Sequence, residues 1–367
     1  MRIFLYAKCV FSNKKLMMIE SPFSIILSDG ARPSEDIYYI QSAAPKLLTR
    51  LGIDSYRINA GSPLSYFRRL NTKRFAGAHI IICRSLNSNW LNFLERYQSS
   101  FASINYLIDD DLSAAVATPG LPKSYREKLN RIVIEQQPRI FSLADNIVVS
   151  SQYLLEKFFP MHSSVHLLTP VLCNSLPELD HFDSGISDMA FLGTRAHVDD
   201  LRAIAPALVR VSNHVRVNDL SLSLSLSLML GKHLPSPLSQ IPIIKNFPPK
   251  SWAAYQKYLT NSPIHIGLSP LMHSPFNSAR SWNKFLDITV AGGVGVYSNR
   301  APFTDIVDHK ANGLLVEDDE DAWYEALSWL LTNPNLAKEM AVKAQITALE
   351  LAEPNKAFEF WRNLLDV

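Results

Sequence analysis

The sequence predicts an α/β protein built from two parallel-sheet units, and three observations carry that prediction. Strand and helix signals alternate through the first half of the chain, a segment rich in breakers interrupts them, and the alternation restarts after about Met189. Strands separated by helices imply βαβ units and a parallel sheet. The chain has 367 residues, the length of two domains, and its 47% hydrophobic content supplies two cores.

Taken in order, Phe23 to Leu27 reads as a strand, Ser28 to Pro33 as a loop and Glu35 to Leu51 as a helix stopped by Gly52. Ile53 to Ile58 and Ala78 to Cys83 are strands, Trp90 to Tyr97 a helix, and Ile104 to Ile108 a strand that runs into Asp109-Asp110-Asp111. A long helix spans Lys123 to about Leu143, followed by a strand from Asn146 to Val149. Leu155 to Ser187 has weak periodicity and the breakers Pro160, Pro170, Pro177 and Gly185, which place the domain junction there. Beyond it come a strand at Met189 to Leu192, a helix at Asp199 to Val211, a strand at Leu220 to Leu230, and a helix at Ser251 to Leu259. The perfect Leu-Ser alternation of Leu220 to Leu228 is a half-buried strand pattern and carries no chemistry. Glu320 to Leu365 is helical, punctuated by Pro334 and Pro354. The expected division is 1–175, 176–345, and a C-terminal helix at 346–367 that could cross back to the first unit.

Composition excludes several classes. A net charge of +2 is too mild for a nucleic-acid binder but permits attraction to an anionic lipid surface. Cys9, Cys83 and Cys173 are an odd, widely spaced set, which argues against a disulfide framework or a zinc site and for a reducing, cytoplasmic setting. No apolar run is long enough to span a membrane. The first 20 residues mix Arg2, Lys8, Lys14 and Lys15 with apolar residues, and read as an arm or edge element with membrane-surface contact as an option.

The densest chemistry lies between Ile264 and Leu331. A strand at Ile264 to Leu268 leads through a Pro-bearing loop to a helix that opens near Asn277 and carries Arg280, Ser281, Lys284 and Asp287; a Gly-Gly turn and a strand, Gly295 to Ser298, follow. Trp282, Phe285, Leu286 and Val290 form its apolar face, and Arg280, Lys284 and Asp287 a separate polar stripe. Two cations near a helix start oppose its dipole, a conflict that a bound diphosphate removes. A surface stripe held by a Lys284–Asp287 pair is the other reading. Asp109-Asp110-Asp111, after an apolar strand, suits either a divalent metal, an N-cap, or acceptor hydroxyls and general-base work at a strand end facing a cleft. The cleft role is preferred, with no metal. Asp29, Gly30 and Ser34 in the first strand–helix loop are further cleft candidates.

These residues carry a resemblance. GLSPL, PFN, RSWNKFLD, GGVGVYS and NGLLVEDD, in that order, resemble the donor-domain signature of group-1 (family 4-like) glycosyltransferases of the GT-B fold. FLGTRAHVDDLRAIAPAL resembles the opening of that domain, and LIDDDL and ADNIVVSSQYLLEKF match the acceptor domain more loosely. The resemblance implies two Rossmann-like domains facing across a cleft. It also implies sugar transfer from a nucleoside diphosphate-sugar to a glycan or lipid-linked acceptor, with retention, in surface polysaccharide synthesis and with no further cofactor. It places the donor on Gly193, Arg195, Asn277, Ser278, Arg280, Ser281, Lys284 and Asp287, and the catalytic candidates at Asp109 and Asp110, with Asp29 and Gly30 on the acceptor side. Asp287 stands where the second Glu of the family's Glu-x7-Glu motif holds the ribose, and the first Glu falls at Ala279. Its contacts to the donor sugar pass to Asn277, Ser278 or backbone. Arg195 resembles the diphosphate-binding Arg; the Lys that follows it in the family falls near Asp200, so Lys284 becomes the second cation, with Arg280 in reserve and His197 as a phosphate or sugar contact. A catalytically inactive glycan-binding or scaffold protein and a sugar-nucleotide epimerase are the alternatives. The Gly292 to Gly295 run precedes a strand and so fails as a nicotinamide-binding loop, and no nucleophile elbow is present.

Overall fold

Runs such as IIIC in Ala78–Cys83 and NIVV in Asn146–Val149 are apolar on both faces, as strands covered by helices on both sides must be. In a computed structural model of the protein, which describes residues 22–69, 71–117, 123–217 and 224–367, such runs assemble into two six-stranded sheets. The first contains β1 (Phe23–Ser28), β2 (Asp54–Asn59), β3 (Ala78–Cys83), β4 (Ser103–Ile108), β5 (Asn146–Val149) and β6 (Val165–Leu167), in the order β2-β1-β3-β4-β5-β6. The second contains β7 (Asp188–Phe191), β8 (Ser225–Leu228), β9 (Ile244–Asn246), β10 (Ile266–Ser269), β11 (Val294–Ser298) and β12 (Leu314–Val316), in the order β12-β11-β10-β7-β8-β9. Every pairing is parallel. These are two Rossmann-like sheets, each with a point where the strand order reverses: between β1 and β3 in the first, and between β7 and β10 in the second.

The expected strands appear within two residues of their limits, except that the Leu-Ser run is strand only over β8; Leu220–Ser223 lie outside the described residues, as do residues 1–21 with their expected arm. Ser225 is buried in β8 because its Oγ donates to Asp188 Oδ1 at 3.0 Å, which removes the cost of a hydroxyl in the core. The long helices are more broken than periodicity suggested. Glu35 to Leu51 resolves into three segments ending at Gly52, whose left-handed φ of 69° closes the last turn. A π-helical stretch, Ile132–Gln136, interrupts the helix after Lys123. The strands β6, β9 and β12 have three residues each, too few to show a period.

The helix expected to open near Asn277 is two helices, Pro275–Ser278 and Asn283–Val290. Ser274 caps the first, and the chain then leaves helical geometry so that Ala279 can present its carbonyl to Ser151 Oγ, 2.9 Å away in the first unit. The second helix buries Trp282, Phe285, Leu286 and Val290, as its apolar spacing requires. It lies so close to the sheet that a Cβ at Gly267 would sit 2.3 Å from Ile288 Cγ1.

The halves interlock twice. Phe276 and Ala279 pack into the core of the first sheet, with Ile108, Leu112 and Leu154. The last helix, Pro354–Leu365, returns to the opposite face of that sheet, where Trp361 is fully buried among Ile26, Tyr39 and Ile81 and its Nε1 donates to Tyr38 O at 2.7 Å.

Candidate active site between the sheets

A cavity of about 620 Å³ lies between the two sheets, lined by the carboxyl ends of both sets of strands. The first sheet contributes Pro33 and Ser34 after β1, Arg84 after β3, and Asp109 and Asp110 after β4. The second contributes Gly193 to His197 after β7 and Ser269 to Leu271 after β10. Both reversal points therefore open into one space, where parallel sheets bind ligands.

On the first-sheet wall, Arg84 follows the buried β3 directly and holds a left-handed φ of 62° that only a well-fixed non-glycine residue keeps. Its Nη2 lies 2.5 Å from Asp110 Oδ2 and its Nε 3.6 Å from Asp109 Oδ1. Arg280 Nη1, from the other half, pairs with Asp110 Oδ1. Burial alone would push the Asp110 carboxyl up, but Arg280 and Arg84 outweigh it and hold the group below its usual range. Asp109 goes the other way: burial, and then the charge of Asp110, push it up, although Ser34 Oγ donates to its Oδ2 at 2.6 Å. Asp109 Oδ1 is buried and lacks a hydrogen-bond partner. The two neighbours thus have separate characters: Asp110 is a fixed charge, and Asp109 is an acceptor whose Oδ1 makes no hydrogen bond. Asp111 is neither, since it caps the next helix at Ala114 N (2.9 Å) and pairs with Lys157 at 2.5 Å.

On the second-sheet wall, Lys284 Nζ sits 2.6 Å from Asp287 Oδ2, and Tyr255 O–H donates to the same oxygen at 2.7 Å. Ser281 Oγ joins Tyr38 O–H (3.0 Å) and accepts from Asn283 Nδ2 (3.0 Å). No side chain caps the start of Asn283–Val290. Arg195 is exposed at the cavity wall and forms no ion pair among the described residues. Gly193 must be small, because a Cβ there would fall 2.2 Å from Phe191 Cζ. Asp200 binds Met272 N (2.9 Å), Asn277 Nδ2 (2.8 Å) and His197 Nδ1 (2.9 Å). A carboxylate only accepts, so His197 keeps its proton on Nδ1 and leaves Nε2 as a lone pair at the cavity. Burial, opposed by the Asp200 hydrogen bond, holds the imidazole below its ordinary pKa of 6.5, and the charges of Arg280 and Lys284 add to that.

That depression carries a sign. The stability contributed by neutral His197 is present above pH 6.5 and lost as pH falls through the depressed folded value, because only the unfolded chain then takes the proton freely. The melting temperature is expected to fall between about pH 7 and 5, and to fall less in His197→Gln. Equal slopes for the two proteins would remove His197 from the account.

Of the sequence candidates, Asp109, Asp110, Gly193, Arg195, His197, Arg280, Ser281, Lys284, Asp287 and Ser34 share the cavity. Asn277 and Ser278 do not line it: Asn277 Nδ2 is committed to Asp200 and Met272 O, and Ser278 Oγ to Ser274 O. Asp29 and Gly30 lie off it as well, beside Gly61 and Asn87. Sequence reasoning missed Arg84, Asp200 and Tyr255. Arg84 had a readable signal, a lone charge at the end of an apolar strand. The other two are joined to the site only by tertiary contacts.

No family model and no curated protein matches the chain. Solved structures do. Sucrose-phosphate synthase from Thermosynechococcus elongatus superposes with a TM-score of 0.63 at 14% identity, covering 94% of this chain and 99% of that one. The fold is GT-B. HepE of Anabaena, solved with UDP and glucose, gives a TM-score of 0.62 at 10% identity with 94% and 99% coverage. A glycosyltransferase from Rickettsia africae gives 0.56 at 10% with 94% and 97%. In GT-B terms, the β7 and β10 loops form the second-half wall of the cleft and the β1, β3 and β4 loops the first-half wall. No helix among the described residues is long and apolar enough to cross a membrane, and no group of three or more His, Cys, Asp or Glu among them could hold a metal ion.

Proposed function

We propose that the protein is a glycosyltransferase that moves a sugar from a nucleoside diphosphate-sugar, with UDP-sugars the first donors to try, to a glycan or lipid-linked acceptor. The observation that carries this reading is the convergence of Arg195, Arg280 and Lys284 with Asp109 and Asp110 on one cavity, where Arg280 pairs with Asp110. A leaving diphosphate needs fixed positive charge in a site shielded from water. Arg195 and Lys284 would hold it, with the uncapped start of Asn283–Val290 turned toward the same anion. Asp287, steadied by Tyr255, would take the ribose hydroxyls. Asp109 would accept the acceptor hydroxyl through Oδ1, which makes no hydrogen bond and has only the Arg84 charge 3.6 Å away, while Asp110 keeps Arg280 in place. Nothing in this scheme asks for a metal. Retention at the anomeric carbon, a cytoplasmic setting in surface polysaccharide synthesis, and the units 1–175, 176–345 and 346–367 belong to the same reading.

A thermal-shift panel of UDP, GDP, ADP, CMP and NAD, with their sugar conjugates and with and without EDTA, tests it. A ligand that binds only the folded state raises the melting temperature, by an amount that follows RT ln(1 + [L]/Kd). One nucleoside diphosphate is expected to stand out, EDTA is expected to leave its shift intact, and turnover should follow when acceptor is added. A shift without turnover for any acceptor would favour a binding or scaffold protein, and isomerisation of the free donor an epimerase.

A further inference from the structure

We propose that His197, held by Asp200, selects the transferred sugar by accepting a hydrogen bond at Nε2 from one of its hydroxyls. This role rests on the donor reading above and adds to it the residue that tells one sugar from another.

The pair is fixed in the fold. Asp200 is 4% exposed, and both of its oxygens are committed. Oδ1 accepts from Met272 N and Asn277 Nδ2 in the segment after β10, and Oδ2 accepts from His197 Nδ1 in the segment after β7. One buried carboxylate thus ties together the two loops that form this wall of the cavity. The opposite tautomer would set the Nδ1 lone pair against Oδ2 at 2.9 Å, with no proton between two buried acceptors. His197 is therefore held as an acceptor at Nε2, an atom with no hydrogen-bond partner among the described residues. Burial disfavours a second proton on the ring, and the charges of Arg280 and Lys284 act in the same direction.

Chemistry narrows the occupant. Phosphate oxygens accept and do not donate, so a neutral imidazole that turns a lone pair to the cavity has nothing to offer the diphosphate. A hydroxyl donates, and it fits. Among the hydroxyls of a nucleoside diphosphate-sugar, position favours those of the sugar. The His197 ring lies within the fields of Arg280 and Lys284, and it acts in turn on Asp110. In the donor reading Lys284 marks the leaving diphosphate and Asp110 the acceptor wall, and the sugar in transfer lies between the two. The ribose hydroxyls already have Asp287, which Tyr255 steadies.

The test is calorimetric titration with UDP, with UDP-glucose, and with UDP-glucose analogues in which fluorine replaces one hydroxyl and so removes one donor. The set is exchanged for its GDP or ADP counterpart if the thermal-shift panel selects another base. His197→Asn keeps an amide N–H for Asp200 and removes the atom at the Nε2 position, whereas His197→Gln carries an amide oxygen to about that place. Wild type is expected to bind one fluorinated analogue about tenfold more weakly than the parent, the effect of losing one neutral hydrogen bond. His197→Asn should bind UDP as wild type does, bind UDP-glucose about tenfold more weakly, and no longer discriminate against that analogue. His197→Gln should recover part of the difference. Asp200→Asn should copy the His197→Asn pattern, because an amide that faces Nδ1 moves the ring proton to Nε2 and turns the acceptor into a donor. Retained UDP binding shows that a variant is folded. UDP affinity that falls together with UDP-glucose affinity in His197→Asn would make the residue a phosphate or packing group. A fluorine penalty that survives in His197→Asn would give the hydroxyl another partner. Either result overturns the role of His197 and leaves the donor reading standing, whereas wild type that binds none of these nucleotides would overturn both.

Discussion

Lys284→Ala is expected to weaken binding of the donor diphosphate by about 10- to 100-fold, the worth of one charge-assisted contact of about 1.5–3 kcal/mol. Turnover should fall with it, because the charge on the leaving diphosphate is larger in the transition state than in the bound donor. The fold should survive, since Lys284 is partly exposed and Asp287 keeps its hydrogen bond from Tyr255. Calorimetric titration with the nucleotide identified by thermal shift reads the effect directly. Wild-type affinity in this variant would return Lys284 to a plain surface pair with Asp287 and move the diphosphate toward Arg195 and Arg280.

Arg280→Ala should cost more, and in two ways. Asp110 would keep Arg84 but lose the partner that comes from the opposite half, and breaking a buried pair by removing one member costs about 3–5 kcal/mol. Activity should fall at least about 100-fold, as it does when one preorganised group is removed from a shielded site. Arg280→Lys should recover only part of either loss, because one ammonium cannot span both Asp110 and the face of Phe276, 4.1 Å from the guanidinium carbon. A double-mutant cycle with Asp110→Asn, followed by chemical denaturation, is the decisive measurement. The coupling should exceed about 1 kcal/mol, and strict additivity would show that the pair does not hold the two walls together.

The sheets were legible because parallel strands covered on both faces read as unbroken apolar runs, and the Gly, Pro and Asp clusters between them mark the turns. The start of Asn283–Val290 was legible in its side chains but not in its backbone. The Arg280, Lys284 and Asp287 spacing suggested one helical stripe, yet Arg280 lies in a break that exists only because Ala279 and Arg280 reach across to Ser151 and Asp110. Contacts between residues more than a hundred positions apart leave no periodic trace. Asn277 shows the same limit from the other side: its polar side chain next to a cationic run suggested ligand binding, whereas Asp200, 77 positions away, engages it in the interior. Asp200 and Tyr255 enter the site through tertiary contact alone.

The seating of Phe276 and Ala279 in the first half's core, together with the return of the last helix, bears on how the molecule moves and melts. The first half completes its hydrophobic interior with two pieces that come from later in the chain. Any opening of the cleft would have to keep this wedge seated, which favours rotation about residues 275–282 over separation of two finished bodies. The first half is not a self-sufficient folding unit, so cleavage of the connection between β6 and β7 should leave its core dependent on the second half, and heat should dismantle both together in one cooperative step.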